Sequence, residues 1–218
     1  MALVLNGSAN TIGGLAVGGL PDGTIDADAL AANAVTTAKI LDSNITGAKL
    51  ASGVGGKVLQ VLQDVKTDDY SANSSGSTIY TVTGLEQAIT LASASNKVLV
   101  QVQLHTDNYT SGYNGIHWWI NRTTSGSDNK LHVGEQIGSN RNRGTGSSGK
   151  ATTAVHPYSD SAVFLDTPGS VGAHTYNIKW KDGNADGGTL YINRGSNDSD
   201  ATSHTICISS ITLTEIAA

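Results

Sequence analysis

The chain has 218 residues, of which 14% are charged, 26 are glycine and 3 are proline. Its formal net charge of −5 gives no broad electrostatic attraction to nucleic acid or to an acidic membrane, and no stretch approaches the roughly 20 apolar residues of a membrane span. So few charges, against about 25% in ordinary globular domains, and so many small polar residues indicate β-structure with abundant turns.

Residues 1–24 begin with a short apolar strand signal that breaks at Asn6-Gly7, and a Gly-rich stretch follows. Because this segment has neither a basic start nor a long apolar run, we expect no signal peptide. The chain is therefore expected to be made and folded in a cytoplasm, with residues 1–24 as a separate N-terminal segment.

Residues 25–54 repeat every ten positions, as IDADALAANA, VTTAKILDSN and ITGAKLASGV. The apolar positions lie five residues apart, which fits neither the helical period of 3.6 nor the strand period of 2. Each decad is predicted to hold one extended residue, a cap (Asp26, Thr36 or Thr46) and a single helical turn, ADAL, TAKI or GAKL.

A decad of this kind has no second layer against which to bury its apolar side chains. Three decads are too few for a self-sufficient solenoid, so we expect several copies of the chain to wind about a common axis as a short stalk. The predicted core of this stalk is Ile25, Leu30, Val35, Ile40, Ile45 and Leu50.

Residues 53–56 form a Gly-rich joint that closes the stalk segment, 25–56, and from Lys57 onward the apolar period becomes two. Short apolar runs bounded by Gly, Asn, Asp and Ser clusters predict an all-β fold, with a β-sandwich or jelly roll over residues 57–218. The run at 97–104 places its apolar residues, 98 to 104 in steps of two, on one face. The single cysteine, Cys207, excludes an intrachain disulfide framework and is expected to be a buried, inert thiol.

Two adjacent tryptophans lie in one predicted strand, and neighbouring strand residues point to opposite faces. If Ile116, Trp118 and Ile120 face the core, then His117 and Trp119 face outward. An outward tryptophan on a polar sheet is expected to be an inter-subunit contact, a carbohydrate-binding platform or a side chain covered by a loop.

The chain resembles the virion fibre proteins of marine tailed bacteriophages, in particular those that infect cyanobacteria. The motifs that match are the opening Leu5-Asn6-Gly7, the repeat Ile45-Thr-Gly-Ala-Lys-Leu50, and the endings GGTLYINR (187–194) and ITLTEI (211–216). The resemblance covers nearly the whole chain and implies a homotrimer, an N-terminal end anchored on the particle and a distal domain that meets the host surface. With only three decads the shaft is short, so a tail, collar or capsid location stays open.

Candidate receptor contacts are exposed aromatic or planar polar groups. The polar, Gly-rich segment 138–149 is either a recognition loop or a flexible surface loop, and its Asn and Arg side chains could bond sugar hydroxyls or acidic polysaccharide groups. The turn with Asp198 and Asp200 lacks the spacing of a calcium loop, so a plain turn is expected. The predicted contacts are Tyr109, Tyr113, Trp119, Asn140, Arg141, Asn142 and Arg143.

No catalytic site, cofactor or metal site is predicted, because Glu is rare and the histidines lack metal-ligand spacing. The sequence therefore predicts a homotrimeric fibre located in the virion. Its expected partners are other copies of itself, virion proteins at the N-terminal segment, and a host surface polysaccharide or protein. Two other hypotheses stay open: a capsid decoration protein that braces the shell, and a monomeric carbohydrate-binding module with residues 1–54 as a linker.

Overall fold

The chain divides into two compact units, residues 1–55 and 56–218, with the boundary inside the Gly-rich joint. No helix in the described part of the chain is long and apolar enough to cross a membrane. The further division of residues 1–56 into an attachment segment and a stalk stays a prediction. The computed structural model describes residues 4–6, 11–13, 30, 32, 34–41, 44–46, 49–50, 57–74, 78–110, 115–148, 156–183 and 187–218.

In the first unit, β1 (Val4–Asn6) pairs antiparallel with β2 (Thr11–Gly13). The second decad forms a 3-10 turn over Thr37–Lys39, which confirms the predicted helical turn. Thr36 is the N-cap of this turn, as predicted, with an extended backbone, although its side chain makes no capping hydrogen bond.

The same hydrogen bonds recur in the second and third decads. Lys39 N donates to Thr36 O at 2.9 Å, and ten residues later Lys49 N donates to Thr46 O at 2.9 Å. The ammonium groups repeat as well, since Lys39 Nζ donates to the carbonyl of residue 34 at 2.9 Å and Lys49 Nζ to that of residue 44 at 3.2 Å. The sequence repeat therefore has a structural counterpart in its second and third copies.

The apolar decad positions are poorly covered within one chain. Leu30, Val35 and Ile45 are 47%, 57% and 48% exposed, and Ile40 is 37% exposed. Leu50 is half-buried, and Ile25 lies outside the described residues. Their packing as a multi-chain core stays a prediction.

The second unit is a β-sandwich of antiparallel strands, as predicted. Its strands are β3 (Val58–Lys66), β4 (Tyr70–Asn73), β5 (Tyr80–Thr90), β6 (Lys97–Thr110), β7 (Ile116–Thr124), β8 (Ser127–Leu131), β9 (Gly146–Ser148), β10 (Tyr158–Asp166), β11 (Ala173–Asp182), β12 (Gly188–Ile192) and β13 (Ser209–Ile216).

In each sheet one strand pairs with three others. In sheet I, β6 pairs with β10, with β13 over residues 97–103 and with β12 over residues 106–110; β3 then pairs with β13 and β4 with β12. In sheet II, β7 pairs with β11, β8 and β9, and β11 also pairs with β5.

The core lies between the two sheets and follows the period of two. The predicted inward residues of β6, from Val98 to Leu104 in steps of two, are at most 3% exposed. Trp118, Trp180 and Tyr176 of sheet II are the largest fully buried side chains. Each such side chain contributes roughly 1.5–3 kcal/mol on burial, so this unit has a sizeable core of its own.

Asn193 follows β12 directly and bonds to the end of β3, to the turn before β4 and to the start of β13. Its backbone is in the left-handed region, at φ 67°, where Asn is tolerated better than most residues. Its buried amide donates to the carbonyls of Lys66 and Asp68 at 2.9 and 2.8 Å, and its Oδ1 accepts from the Ser209 hydroxyl at 2.7 Å. Cys207, whose N–H donates to Asn193 O, is half-buried rather than buried and precedes β13.

The sandwich has two distinct ends. At the proximal end the chain enters at Lys57, whose carbonyl accepts a hydrogen bond from Ala217 N at 2.7 Å, and Ile216 pairs with Lys97 beside it. At the distal end β6 finishes at residue 110, opposite the start of β12, and β11 finishes at residue 182, opposite the start of β7.

Candidate functional site

Trp119 lies on the outer face of sheet II, but its ring is not open to solvent. Ile116, Trp118 and Ile120 are buried in the core, which confirms the predicted alternation. Trp119 is nevertheless only 3% exposed, and the Lys130 ammonium lies over its ring, 3.9 Å from the centroid. Of the three predicted possibilities, the structure therefore has the Trp119 ring covered by groups of its own chain. A ligand would reach this face of the ring only after Lys130 moved.

The segment between β8 and β9, residues 132–145, is held to the sandwich by its own polar groups. Lys130 Nζ donates to Arg143 O, and Arg143 Nε donates to Gly134 O at 2.7 Å. Asn142 Nδ2 donates to Gly183 O at 3.0 Å, at the distal end of β11. Asn142 and Arg143 thus anchor this loop, a role that the sequence analysis did not assign to them.

The anchored loop and the end of β11 form an open concavity of about 460 Å³. Four of its side chains are cationic: Lys130, Arg141, Arg143 and Lys181. Within the described part of the chain, none of the four makes an ion pair of 4.0 Å or less. The full lining is Lys130, Gln136, Gly138, Ser139, Asn140, Arg141, Asn142, Arg143 and Lys181.

The pKa values of Lys130 and His117 are lowered by burial first and by neighbouring cations second. Burial lowers the pKa of Lys130, and the charges of Lys181 and Arg143 lower it further. Burial likewise lowers the pKa of His117, with contributions from Lys181 and Lys130 that Asp182 partly offsets. Burial and neighbouring cations both disfavour the charged form of a lysine or histidine, so the two causes act in the same direction.

The nearby carboxylate of Asp128 does not neutralise the concavity. It pairs with Lys179, and hydrogen bonds from Lys179, Thr123 and Asn121, in that order, lower its pKa to about 2. Lys179 and Lys181 occupy the same face of β11, yet only Lys179 has an ion-pair partner among the described residues. The concavity is therefore chemically suited to an anion.

Tyr109 lies at the same end of the sandwich but on sheet I. It is 52% exposed and borders a second depression of about 350 Å³ with Ser74 and Thr189. The last residues of β11 connect the two places, since Ser74 Oγ donates to Asp182 Oδ2 at 3.2 Å while Lys181 lines the cationic concavity. Tyr113 lies outside the described residues.

The structure therefore brings Asn140, Arg141, Asn142 and Arg143 together, places Tyr109 at the same end and leaves Trp119 beneath Lys130. Lys130 and Lys181, which also line the concavity, were not among the residues predicted to contact a receptor. Lys181 shares a strand face with Lys179 at a spacing of two, a signal visible in the sequence. Lys130 gives no such signal, because its position depends on the pairing of β8 with β7.

A third concavity, of about 250 Å³ and lined by polar residues, lies in the connection from β12 to β13. It contains Asp198 and Asp200, and Arg194 joins it to the sandwich through ion pairs with Asp69 and Asp198 at 2.8 and 3.2 Å. Among the described residues, no group of three or more His, Cys, Asp or Glu side chains is placed to hold a metal ion.

No protein-family model and no curated protein matches this sequence. Among solved structures, the chain is similar to infectious bursal disease virus of the Gt strain, with a TM-score of 0.39 and 11% identity over 73% of this chain and 38% of that chain. For the Gx strain the TM-score is 0.34, with 9% identity over 73% and 37% of the two chains. The match spans less than two fifths of those chains, so the sandwich is assigned from its own strand pairings.

Proposed function

We propose that the chain is a homotrimeric virion fibre protein, anchored on the particle through residues 1–24, whose distal end adheres to the surface of the host cell. The polarity of the sandwich is the observation that carries this proposal. The chain enters at Lys57 at the proximal end, while Tyr109 and the cationic concavity lie at the distal end. A domain that binds at its tip and is tethered at its base requires this arrangement.

The exposed decad positions support assembly from several copies. Leu30, Val35 and Ile45 are about half exposed within one chain, although they recur in strict register. Burial of such side chains against other copies would contribute roughly 1.5–3 kcal/mol each. A flexible linker has no physical reason to keep apolar residues in register.

The outer face of sheet I supports a second contact between copies. Three outward rows of four residues cross β10, β6, β13 and β3 without a single charged side chain, and we call them the neutral face. Val61 and Val163 of this face are 59% and 57% exposed. The rows are Leu165, Leu99, Thr214 and Val61; Val163, Gln101, Thr212 and Gln63; and Ser161, Gln103, Ser210 and Val65.

The outer face of sheet II differs, since it carries Glu86, Asp128, Lys130, Lys179 and Lys181. A large uncharged, partly apolar sheet face is typical of an interface, where charged residues are depleted. We assign the neutral face to contacts with further copies of the chain about the trimer axis. The charged face of sheet II would then point outward.

Adhesion in this proposal comes from many copies of one weak site. Three chains per fibre, and several fibres per particle, raise the effective concentration of each site once the first has bound. No catalysis and no cofactor are needed for this function. The cationic concavity would supply part of each contact, and Tyr109 would supply an aromatic group beside it.

The test is the native mass of the full chain by light scattering, repeated on a chain that lacks residues 1–54. We expect a trimer that dissociates at higher concentration once the decads are removed. A monomer in both cases would contradict the proposal and favour a carbohydrate-binding module. Labelled antibodies against the chain would then locate it on virions by electron microscopy, and labelling at capsid threefold sites would favour the decoration-protein alternative.

A further inference from the structure

We propose that the cationic concavity at the distal end binds the acidic groups of a polysaccharide, namely carboxylates or sulfates carried on its sugar units. This names a ligand class for the proposed attachment function. It rests on that function only for the placement of the ligand on a host surface, because anion binding follows from the concavity itself.

The first support is the convergence of cations from three segments of the chain. Lys130 comes from β8, Arg141 and Arg143 from the loop, and Lys181 from β11. Within the described residues none of them has a carboxylate partner within 4.0 Å. A bound carboxylate or sulfate would supply the missing countercharge, and an arginine fork can hold either group through two parallel hydrogen bonds.

The second support is that the concavity is held in shape by contacts within the chain. The Lys130 ammonium is fixed between the Trp119 ring, 3.9 Å from its centroid, and the carbonyl of Arg143. Asn142 ties the loop to Gly183 at 3.0 Å. A ligand would therefore meet groups that are already ordered, which lowers the entropic cost of binding.

The third support separates a polysaccharide from a nucleic acid. The whole chain carries a net charge of −5, so a densely charged polymer with one phosphate per about 1.7 Å of duplex is repelled from most of the surface. A polysaccharide with about one acidic group per sugar, or fewer, has a lower charge density than duplex DNA and carries neutral hydroxyls between its charges. Ser139 and Asn140 in the same lining offer hydroxyl and amide groups to those hydroxyls.

The test measures binding of the full-length chain to four polymers by titration calorimetry: polygalacturonate, a sparsely sulfated galactan, neutral dextran and a double-stranded DNA oligomer. We expect both acidic polysaccharides to bind at low salt and to weaken as salt increases, while neutral dextran does not bind. The tighter of the two acidic polymers identifies carboxylate or sulfate as the preferred group. DNA is expected to bind at least about tenfold more weakly, by the charge repulsion described above.

Three variants locate the site. Arg141→Gln and Lys181→Gln should each weaken binding of the acidic polymer about tenfold, the loss of one charge-assisted hydrogen bond. Lys179→Gln is the matched control, because this lysine lies on the same face of β11 but pairs with Asp128. It should leave the affinity unchanged, and all three variants should melt within a few degrees of the parent chain.

The proposal is overturned if neither acidic polymer binds at low salt, if neutral dextran or DNA binds as tightly, or if Lys179→Gln weakens binding as much as the other two. These outcomes are independent of the fibre assignment. A trimer that binds no acidic polymer would refute the ligand class alone. A monomer that binds polygalacturonate through Arg141 would refute the fibre alone.

Discussion

A buried ion pair joins the two sheets, and its removal should cost far more than that of an exposed pair. Asp166 of sheet I accepts hydrogen bonds from Arg122 Nη1 at 2.5 Å and from the Tyr176 hydroxyl at 2.6 Å, both of sheet II. The side chains of Arg122 and Asp166 are only 13% and 10% exposed. Burial, followed by the hydrogen bond and charge of Asp166, raises the pKa of Tyr176, so the phenol stays a donor.

The variant Asp166→Asn keeps the side-chain volume but leaves the Arg122 guanidinium without a counterion. Breaking a buried pair in this way costs about 3–5 kcal/mol, and the small residual exposure favours the lower value. For a unit of this size, about 3 kcal/mol corresponds to a decrease in Tm of roughly 6–12 °C. Differential scanning calorimetry and urea unfolding measure both quantities.

The matched control is Asp128→Asn, which removes the exposed ion pair with Lys179. Asp128 is 49% exposed, and pairs of this kind contribute about 0–1 kcal/mol. Replacing Arg122 and Asp166 together by Met and Leu should recover part of the lost stability, since no charge is then left buried, although the Tyr176 hydroxyl loses its acceptor. Equal destabilisation by Asp166→Asn and Asp128→Asn would refute the reasoning from burial.

Three further changes test other parts of the molecule. Burial raises the pKa of Glu215, but its hydrogen bonds outweigh burial and hold the pKa below the ordinary value of 4.5. The ionised Glu215 therefore stabilises the fold above pH 4.5, and this stabilisation is lost as the pH falls through the lowered pKa. Glu215→Gln should flatten the loss of stability between about pH 5 and pH 3 in urea unfolding. A Cβ on Gly146 would lie 2.6 Å from the indole of Trp118. Gly146→Ala should therefore lower the free energy of unfolding by about 1–3 kcal/mol, measured by calorimetry, and an unchanged Tm would contradict this packing. In light scattering, Ile40→Asp and Val61→Lys should each weaken the trimer, whereas Leu41→Asp, at a position 74% exposed and outside the decad register, should not.

Local periodicity predicted the elements of this fold well. The period of two in residues 97–104 predicted the buried face of β6, and the repeat predicted a helical turn that the structure has at Thr37–Lys39. Thr36 was correctly predicted as the N-cap of that turn, since Thr is a common N-cap. The sequence did not predict that the lysine ammonium of the turn donates to a carbonyl five residues earlier.

The candidate site shows where sequence reasoning reaches its limit. The sequence by itself marked the Asn and Arg residues of the β8–β9 loop, because their functional groups are visible in a polar, Gly-rich stretch. Only the tertiary structure placed Lys130 and Lys181 beside them, by pairing β8 and β11 with opposite edges of β7. It also decided that Trp119 is covered, since the side chain over its ring comes from the neighbouring strand. Spacing along one strand fixes the face on which a residue lies, whereas contacts across strands depend on register, which is set by the packing of the whole sandwich.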